Sequence, residues 1–186
     1  PIAILLLLSA VGFRPNSNVT VPINVEELTI AQIHASYKKG AFTSQQLVSA
    51  YLERINQLNP QINAITILNP QAMAIAKALD EEYKKTKVLR PLHGIPIIAK
   101  DNINTKGLAT TAGALALKDF VPTEDAFIID KLVKAGAIII AKSNMAEWAF
   151  TPWHSFSSTH GATLNPYNPE YVPAGSSGGT GASVAS

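Results

Sequence analysis

The continuous apolar run AIIIAK, residues 137–142, most constrains how this chain can fold. A strand without alternating polar residues is typical of one that is buried on both faces. The run follows a predicted helix over residues 125–135 that ends at Gly136. A second β-rich stretch, residues 95–99, and a third, residues 62–68, also lie between helical patterns. This order of helices and buried strands predicts an α/β fold.

The first predicted helices form a hairpin. The segments TIAQ (29–32) and TSQQ (43–46) each have a threonine followed three residues later by a glutamine, which is the capping-box pattern. Apolar residues at helical spacing follow each box, and they predict helices over residues 30–39 and 44–58. We interpret this hairpin as scaffold.

Further along the chain, Asn69 and Pro70 predict the cap and first turn of a helix that ends near Lys84. Residues 150–173 are rich in Pro, Asn, Ser and Thr and are predicted to form a long loop. A loop of this length inside a domain is often functional.

Composition excludes several functions. The 186 residues include no cysteine, so disulfides, zinc–thiolate sites and cysteine nucleophiles are excluded. The four histidines (His34, His93, His154 and His160) lack an HExxH spacing, and we expect no metal. The net charge is +2, and residues 81–87, the nearest to a charge run, mix both signs. We therefore expect no nucleic-acid partner.

Residues 1–13 form an apolar leader, PIAILLLLSAVGF, that is too short to span a bilayer of ~30 Å. It has the character of a signal-peptide core, although no methionine and no positive region precede it. We expect residues 14–24 to be a linker and residues 25–186 to belong to one domain. The leader predicts export to the periplasm or outside of the cell without stable membrane insertion, and a cytoplasmic protein if it is not a signal.

The segment VPAGSSGGTGASVAS, residues 172–186, combines four glycines with four serines before small, helix-compatible residues. A phosphate cradle is one interpretation, but neither GxxxxGK[ST] nor GxGxxG after a strand is present. A nucleophile elbow with Ser177 at its centre fits G-x-S-x-G, but the preceding residues 165–174, with three prolines, are poor strand material.

A third interpretation pairs this loop with Lys100. The lysine follows a short apolar strand, and burial there would lower its pKa from about 10.4. A neutral lysine beside hydroxyl groups can act as a base toward one of them.

This pairing resembles the amidase signature family. The segments LHGIPIIAKDN (92–102), AGAIIIAKSNMAEWAF (135–150) and NPYNPEYVPAGSSGGTGASVA (165–185) are similar to its lysine motif, the helix–strand–loop that follows, and the first half of its signature. The likeness covers residues 30–186 in the same order. It implies an α/β/α fold with a mixed twisted sheet, of which this chain would hold an incomplete part.

Carried over residue by residue, Lys100 resembles the catalytic lysine, and Ser176 resembles the bridging serine that follows a cis peptide bond. Gly175, Ser177, Gly178 and Gly179 would contact substrate or support the loop. In the family these groups serve a Ser–cis-Ser–Lys triad that hydrolyses carboxylic amides through an acyl-enzyme, without a metal or cofactor.

The family's nucleophilic serine lies a couple of dozen residues beyond the bridging serine, whereas this sequence ends ten residues after Ser176. The resemblance therefore predicts a fragment that lacks the nucleophile and is inactive alone. Ser177 and Ser183 are poor candidates for the nucleophile, because the family places its nucleophile elsewhere. Three functions stay open: an amidase acting on a small-molecule amide, the A subunit of glutamyl-tRNA amidotransferase, and a non-catalytic relic or binding protein. Esters remain an alternative to amides.

Four aromatic residues lie at the end of the second motif segment or shortly after it: Trp148, Phe150, Trp153 and Phe156. We expect most of them to be buried by packing, with an apolar entrance to the site as the alternative.

Overall fold

In the computed structural model, residues 23–186 are described. The first two helices, α1 (Ile30–Lys39) and α2 (Ser44–Ile62), form the expected hairpin. Both capping boxes are complete: the Gln32 backbone N–H donates to Thr29 Oγ1 over 3.2 Å, and the Thr29 N–H donates to Gln32 Oε1 over 2.8 Å. The predicted leader, and all but the last two residues of the predicted linker, lie outside the described residues and stay predictions.

Helix α2 ends later than predicted, since it continues past Leu58 and through Pro60. A proline near the end of a helix removes one backbone hydrogen bond, here the one to the carbonyl of Asn56. The helix tolerates this loss because its last residue, Ile62, is buried and the Asn63 N–H donates to the Asn59 carbonyl over 2.8 Å.

Helix α3 (Ala72–Thr86) begins two residues after Pro70, where the sequence predicted its start. The Asn69 side chain accepts from the Gln71 N–H over 2.9 Å. It therefore closes a turn ahead of the helix instead of capping it. The helix ends two residues beyond Lys84, and Lys87 follows in the left-handed conformation.

The central sheet has three strands in the order β1 (Ile65–Leu68), β3 (Ile138–Ser143) and β2 (Pro96–Lys100). Strand β3 pairs antiparallel with β1 and parallel with β2, so the sheet is mixed. All six residues of β3 are buried, as their apolar run predicted. The α/β fold class predicted from the sequence is confirmed.

Helices cover both faces of this sheet. Ile138 and Ile140 of β3 pack in one cluster with α2 and α3 residues, including Val48 and Ala76. On the opposite face, Ile139 packs with Ile129 of α4 (Phe127–Lys134). This α/β/α layering leaves the carboxyl ends of β2 and β3 beside each other.

The long segment after β3 contains little regular structure, as predicted. It includes a short hairpin of β4 (Phe156–Ser157) and β5 (Gly161–Ala162). The serine–glycine segment leads into α5 (Gly178–Ala185). Over residues 23–186, no helix has both the length and the apolar character needed to cross a membrane.

Candidate active site

The carboxyl end of β2 positions Lys100. In the parallel register Lys100 lies opposite Ser143 of β3, and the Asp101 N–H continues the ladder to the Ser143 carbonyl over 3.1 Å. The Ser143 hydroxyl shares a hydrogen bond of 2.8 Å with the Thr180 hydroxyl of α5. The strand that bears the lysine is therefore joined through β3 to the helix that follows the serine–glycine loop.

Backbone contacts hold the serine–glycine loop in place. The peptide bond between Gly175 and Ser176 is cis, as the family resemblance implied. The Ala146 N–H donates to the Ser176 carbonyl over 3.0 Å. The Ser155 hydroxyl accepts from the Gly178 N–H over 2.9 Å and donates to the Ala174 carbonyl over 3.0 Å. The loop is thus attached on both sides of its two central serines.

The glycines of this loop allow close approach of neighbouring segments. A Cβ at Gly175 would lie 2.6 Å from the Thr151 carbonyl oxygen, and one at Gly179 would lie 2.6 Å from the Ala64 carbonyl oxygen. At Gly178 it would overlap the Ser155 side chain. Ordinary contacts are 3.4–4 Å, so larger residues would push the loop away from the segments that hold it. These contacts support the loop role predicted for the glycines.

Lys100 contacts both serines of the loop. Its Nζ donates to Ser176 Oγ over 2.7 Å and to Ser177 Oγ over 2.8 Å. Within residues 23–186, no carboxylate forms an ion pair with this lysine. Burial lowers the pKa of Lys100 below its ordinary value, because the charged form loses hydration. The arrangement is a partly desolvated amine that can exchange a proton with either hydroxyl.

The direct contact of Ser177 with the lysine was missed by the sequence reasoning, which placed this serine among loop-supporting residues. Ser177 occupies the N-cap position of α5, but its side chain makes no capping hydrogen bond. Its hydroxyl is directed to Lys100 instead. Ser183, in contrast, donates to the Thr180 carbonyl of its own helix. Local sequence offers no signal that separates Ser177 from Ser183 in this way.

Polar residues buried behind Lys100 were also missed. Asp101 and Lys142 are fully buried, and the Asp101 carboxylate accepts from the N–H and hydroxyl of Thr111. Burial lowers the pKa of Lys142 to about 8, against the opposing effect of Asp101. A charged residue within the otherwise apolar AIIIAK run was the available signal.

The aromatic residues after β3 are exposed, which corrects the expectation that most are buried. The exposed fractions are 54% for Trp148, 90% for Phe150, 79% for Trp153 and 51% for Phe156. The segment is held by hydrogen bonds from its backbone and from Ser155, such as Trp148 N–H to the Ala112 carbonyl over 2.9 Å. Its rings are therefore not needed to hold it against the domain.

The described residues contain no group of three or more His, Asp or Glu side chains arranged to hold a metal ion.

Comparison with known proteins identifies the class to which this site belongs. The family model described as Amidase matches residues 46–186, which include strands β2 and β3 and the serine–glycine loop. The chain therefore belongs to the amidase family.

Particular relatives refine this assignment. The A subunit of the glutamyl-tRNA(Gln) amidotransferase of Natranaerobius thermophilus is 42% identical over 165 residues, covering 88% of this chain and 33% of that protein. A putative amidase of Schizosaccharomyces pombe is 38% identical and covers 88% of this chain and 29% of its own length. The native peptide amidase structure from Stenotrophomonas maltophilia matches with a TM-score of 0.81 and 40% identity, over 86% of this chain and 34% of that one. The chain thus spans about a third of the relatives that it matches.

Proposed function

We propose that the protein carrying this sequence hydrolyses carboxylic amides, with Lys100 as the base and Ser176 as the proton relay. The observation that carries the proposal is the 2.7 Å contact between Lys100 Nζ and Ser176 Oγ. The amine is partly desolvated and has no carboxylate partner among residues 23–186, so its neutral form is favoured relative to that of a surface lysine.

In the proposed reaction, neutral Lys100 takes a proton from Ser176 while Ser176 takes one from a nucleophilic serine. That serine attacks the amide carbonyl, and backbone N–H groups hold the oxyanion. The proton returns along the same path to the leaving nitrogen, and ammonia or an amine departs. Water then attacks the acyl-enzyme with the same base and relay, which releases the carboxylic acid and restores the serine.

We propose further that the nucleophile is not one of the described hydroxyls. Among residues 23–186, the hydroxyl of Ser176 is hydrogen-bonded to Lys100 alone. No second serine of this part of the chain is therefore placed to give its proton to Ser176. Ser177 contacts the lysine directly and would bypass Ser176. A polypeptide limited to these 186 residues is therefore expected to release no ammonia from amides.

The test is ammonia release from a panel of linear alkyl, aryl and peptide amides. It compares the natural polypeptide that carries this sequence with a chain limited to residues 1–186. In the natural polypeptide, Lys100→Met and Ser176→Ala should each lower kcat by about three orders of magnitude or more. Ser183→Ala is the matched control on α5, the helix that follows the serine–glycine loop, because its hydroxyl donates to the Thr180 carbonyl and not to the lysine or the relay serine.

Three results would contradict the proposal. Full activity of the Lys100→Met variant would remove the lysine from the mechanism. Turnover by the 186-residue chain, lost in Ser177→Ala, would show that Ser177 is the nucleophile. No turnover by a folded natural polypeptide on any amide would favour the non-catalytic alternative of a relic or binding protein. Parallel assays with the matching esters decide between amide and ester preference.

A second candidate is the A subunit of an amidotransferase, because several relatives at 40–46% identity are named as A subunits of glutamyl-tRNA(Gln) amidotransferase. The same lysine–serine pair would then release ammonia that is passed on to glutamyl-tRNA(Gln). Purification from the source organism separates the candidates. Co-purifying subunits and conversion of glutamyl-tRNA(Gln) to its amide would favour the amidotransferase, and activity of the isolated polypeptide on simple amides would favour the hydrolase.

A further inference from the structure

Lys142 is a buried cation that the proposed reaction does not use. It is the largest fully buried side chain of residues 23–186, with an exposed fraction of 0%. No carboxylate in this part of the chain forms an ion pair with it, although Asp101 is close enough to influence its pKa. A buried charge without an ion-pair partner is unfavourable compared with an apolar side chain of similar length. A contribution to stability therefore does not account for this lysine.

The contacts of Lys142 lie in the segment that follows Lys100. Its Nζ donates to the Ile103 carbonyl over 2.5 Å, to Thr110 Oγ1 over 3.0 Å and to Thr105 Oγ1 over 3.4 Å. The Ile103 N–H in turn donates to the Lys100 carbonyl over 2.9 Å, which closes a turn that begins at Lys100. Lys142 therefore holds the last residue, Ile103, of the turn that follows strand β2.

A second set of contacts holds the same segment. The Asp101 N–H donates to the Ser143 carbonyl, and the Asp101 carboxylate accepts from Thr111. The Ala112 N–H donates to the Asp101 carbonyl over 3.1 Å. The backbone that follows Lys100 is thus fixed both to β3 and to residues 111–112. These contacts set the direction of the Lys100 side chain.

We propose that Lys142 is a positioning residue that holds the turn after β2 and so directs the Lys100 amine at Ser176 and Ser177. This inference rests on the proposed role of Lys100 as the base. Lys142 acts through the Ile103 carbonyl and the two threonine hydroxyls, and it contacts neither serine. By holding the turn, it keeps Lys100 partly buried, which disfavours protonation of the Lys100 amine.

The test measures the pKa of Lys100 directly, without requiring amide turnover. Individual lysines of the natural polypeptide are acetylated competitively with trace acetic anhydride between pH 7 and 11, and the extent is quantified for each peptide. Lys100→Met identifies the Lys100 signal. In Lys142→Met, the pKa of Lys100 should rise because the released turn exposes the amine to water, and its neutral fraction at pH 8 should fall several-fold. Lys134→Met is the matched control, because Lys134 is exposed and pairs with Asp130 on α4.

Thr110→Val is the second variant, because it removes one acceptor of Lys142 but keeps both lysines and the side-chain volume. It should shift the Lys100 pKa upward by less than Lys142→Met does, and it decides the question if Lys142→Met does not fold. An unchanged Lys100 pKa in the folded variants would overturn the positioning role.

The positioning role of Lys142 and the proposed hydrolase function can be refuted independently. A shifted Lys100 pKa in a protein without amide turnover would uphold the positioning role and refute the proposed hydrolase. Normal turnover with an unshifted Lys100 pKa in both variants would refute only the positioning role.

Discussion

Helix α5 provides a matched pair of glycines that tests how tightly the site is packed. A Cβ on Gly179 would lie 2.6 Å from both the Ala64 carbonyl oxygen and the Asn144 backbone nitrogen. These distances are about 0.8 Å shorter than the start of the ordinary contact range at 3.4 Å. Two residues further along the helix, a Cβ on Gly181 would have no neighbour within 4 Å.

Gly179→Ala should therefore destabilise the protein and Gly181→Ala should stabilise it. Overpacking against backbone costs about 1–3 kcal/mol. Weakening of the 3.1 Å hydrogen bond from Gly179 N–H to the Asn144 carbonyl adds about 1 kcal/mol. At Gly181, alanine in an open helical position should contribute about 0.5–1 kcal/mol of stability, because glycine loses more backbone entropy on folding.

The measurement is urea denaturation of both variants and the original chain, followed by tryptophan fluorescence and analysed for the free energy of unfolding. We expect Gly181→Ala to be more stable than Gly179→Ala by about 2–4 kcal/mol, because the entropic gain of alanine applies at both helical positions and cancels from the difference. Equal stabilities, or a more stable Gly179→Ala, would refute the close approach of α5 to residues 64 and 144.

Two further predictions concern stability. Thr43→Ala removes the hydroxyl that accepts from the Gln46 N–H and should cost about 1 kcal/mol in urea denaturation, whereas no loss would show that the capping box does not hold α2. The second concerns pH. Because the folded-state pKa of Lys142 is lowered to about 8, the unfolded chain binds more protons above that pH, and stability should rise by about 2 kcal/mol between pH 8 and 10. Above pH 10 the raised pKa of buried Tyr37 acts in the opposite direction. Lys142→Met should flatten the rise, and an unchanged pH profile in that variant would contradict the assigned burial.

Much of the local structure was predictable because its causes lie within a few residues. Each capping box is complete within four residues, and the apolar run of β3 needs no distant partner to be recognised as a buried strand. The predictions were wrong where some helices begin and end. Helix α2 continued through Pro60 because Ile62 is buried, and α3 began after Pro70 because Asn69 formed a turn.

The pairing of Lys100 with Ser176 has a different origin. These residues are 76 positions apart, and no periodicity in the chain joins them. The pairing was predicted only through the resemblance of whole motifs to the amidase signature family. The second contact, with Ser177, was not predicted, because it depends on the angle at which α5 leaves the loop.

The sequence by itself was enough to predict the helices, the buried strands and the order of these elements along the chain, because they depend on local sterics and hydrogen bonding. They did not specify that Lys142 holds the turn after Lys100 or that the aromatic rings after β3 face solvent, which became visible only in the folded chain. Both depend on which distant backbone groups are left for a side chain to contact once the sheet has formed. That allocation of hydrogen-bond partners and buried space is a property of the packed chain, and no short segment contains it.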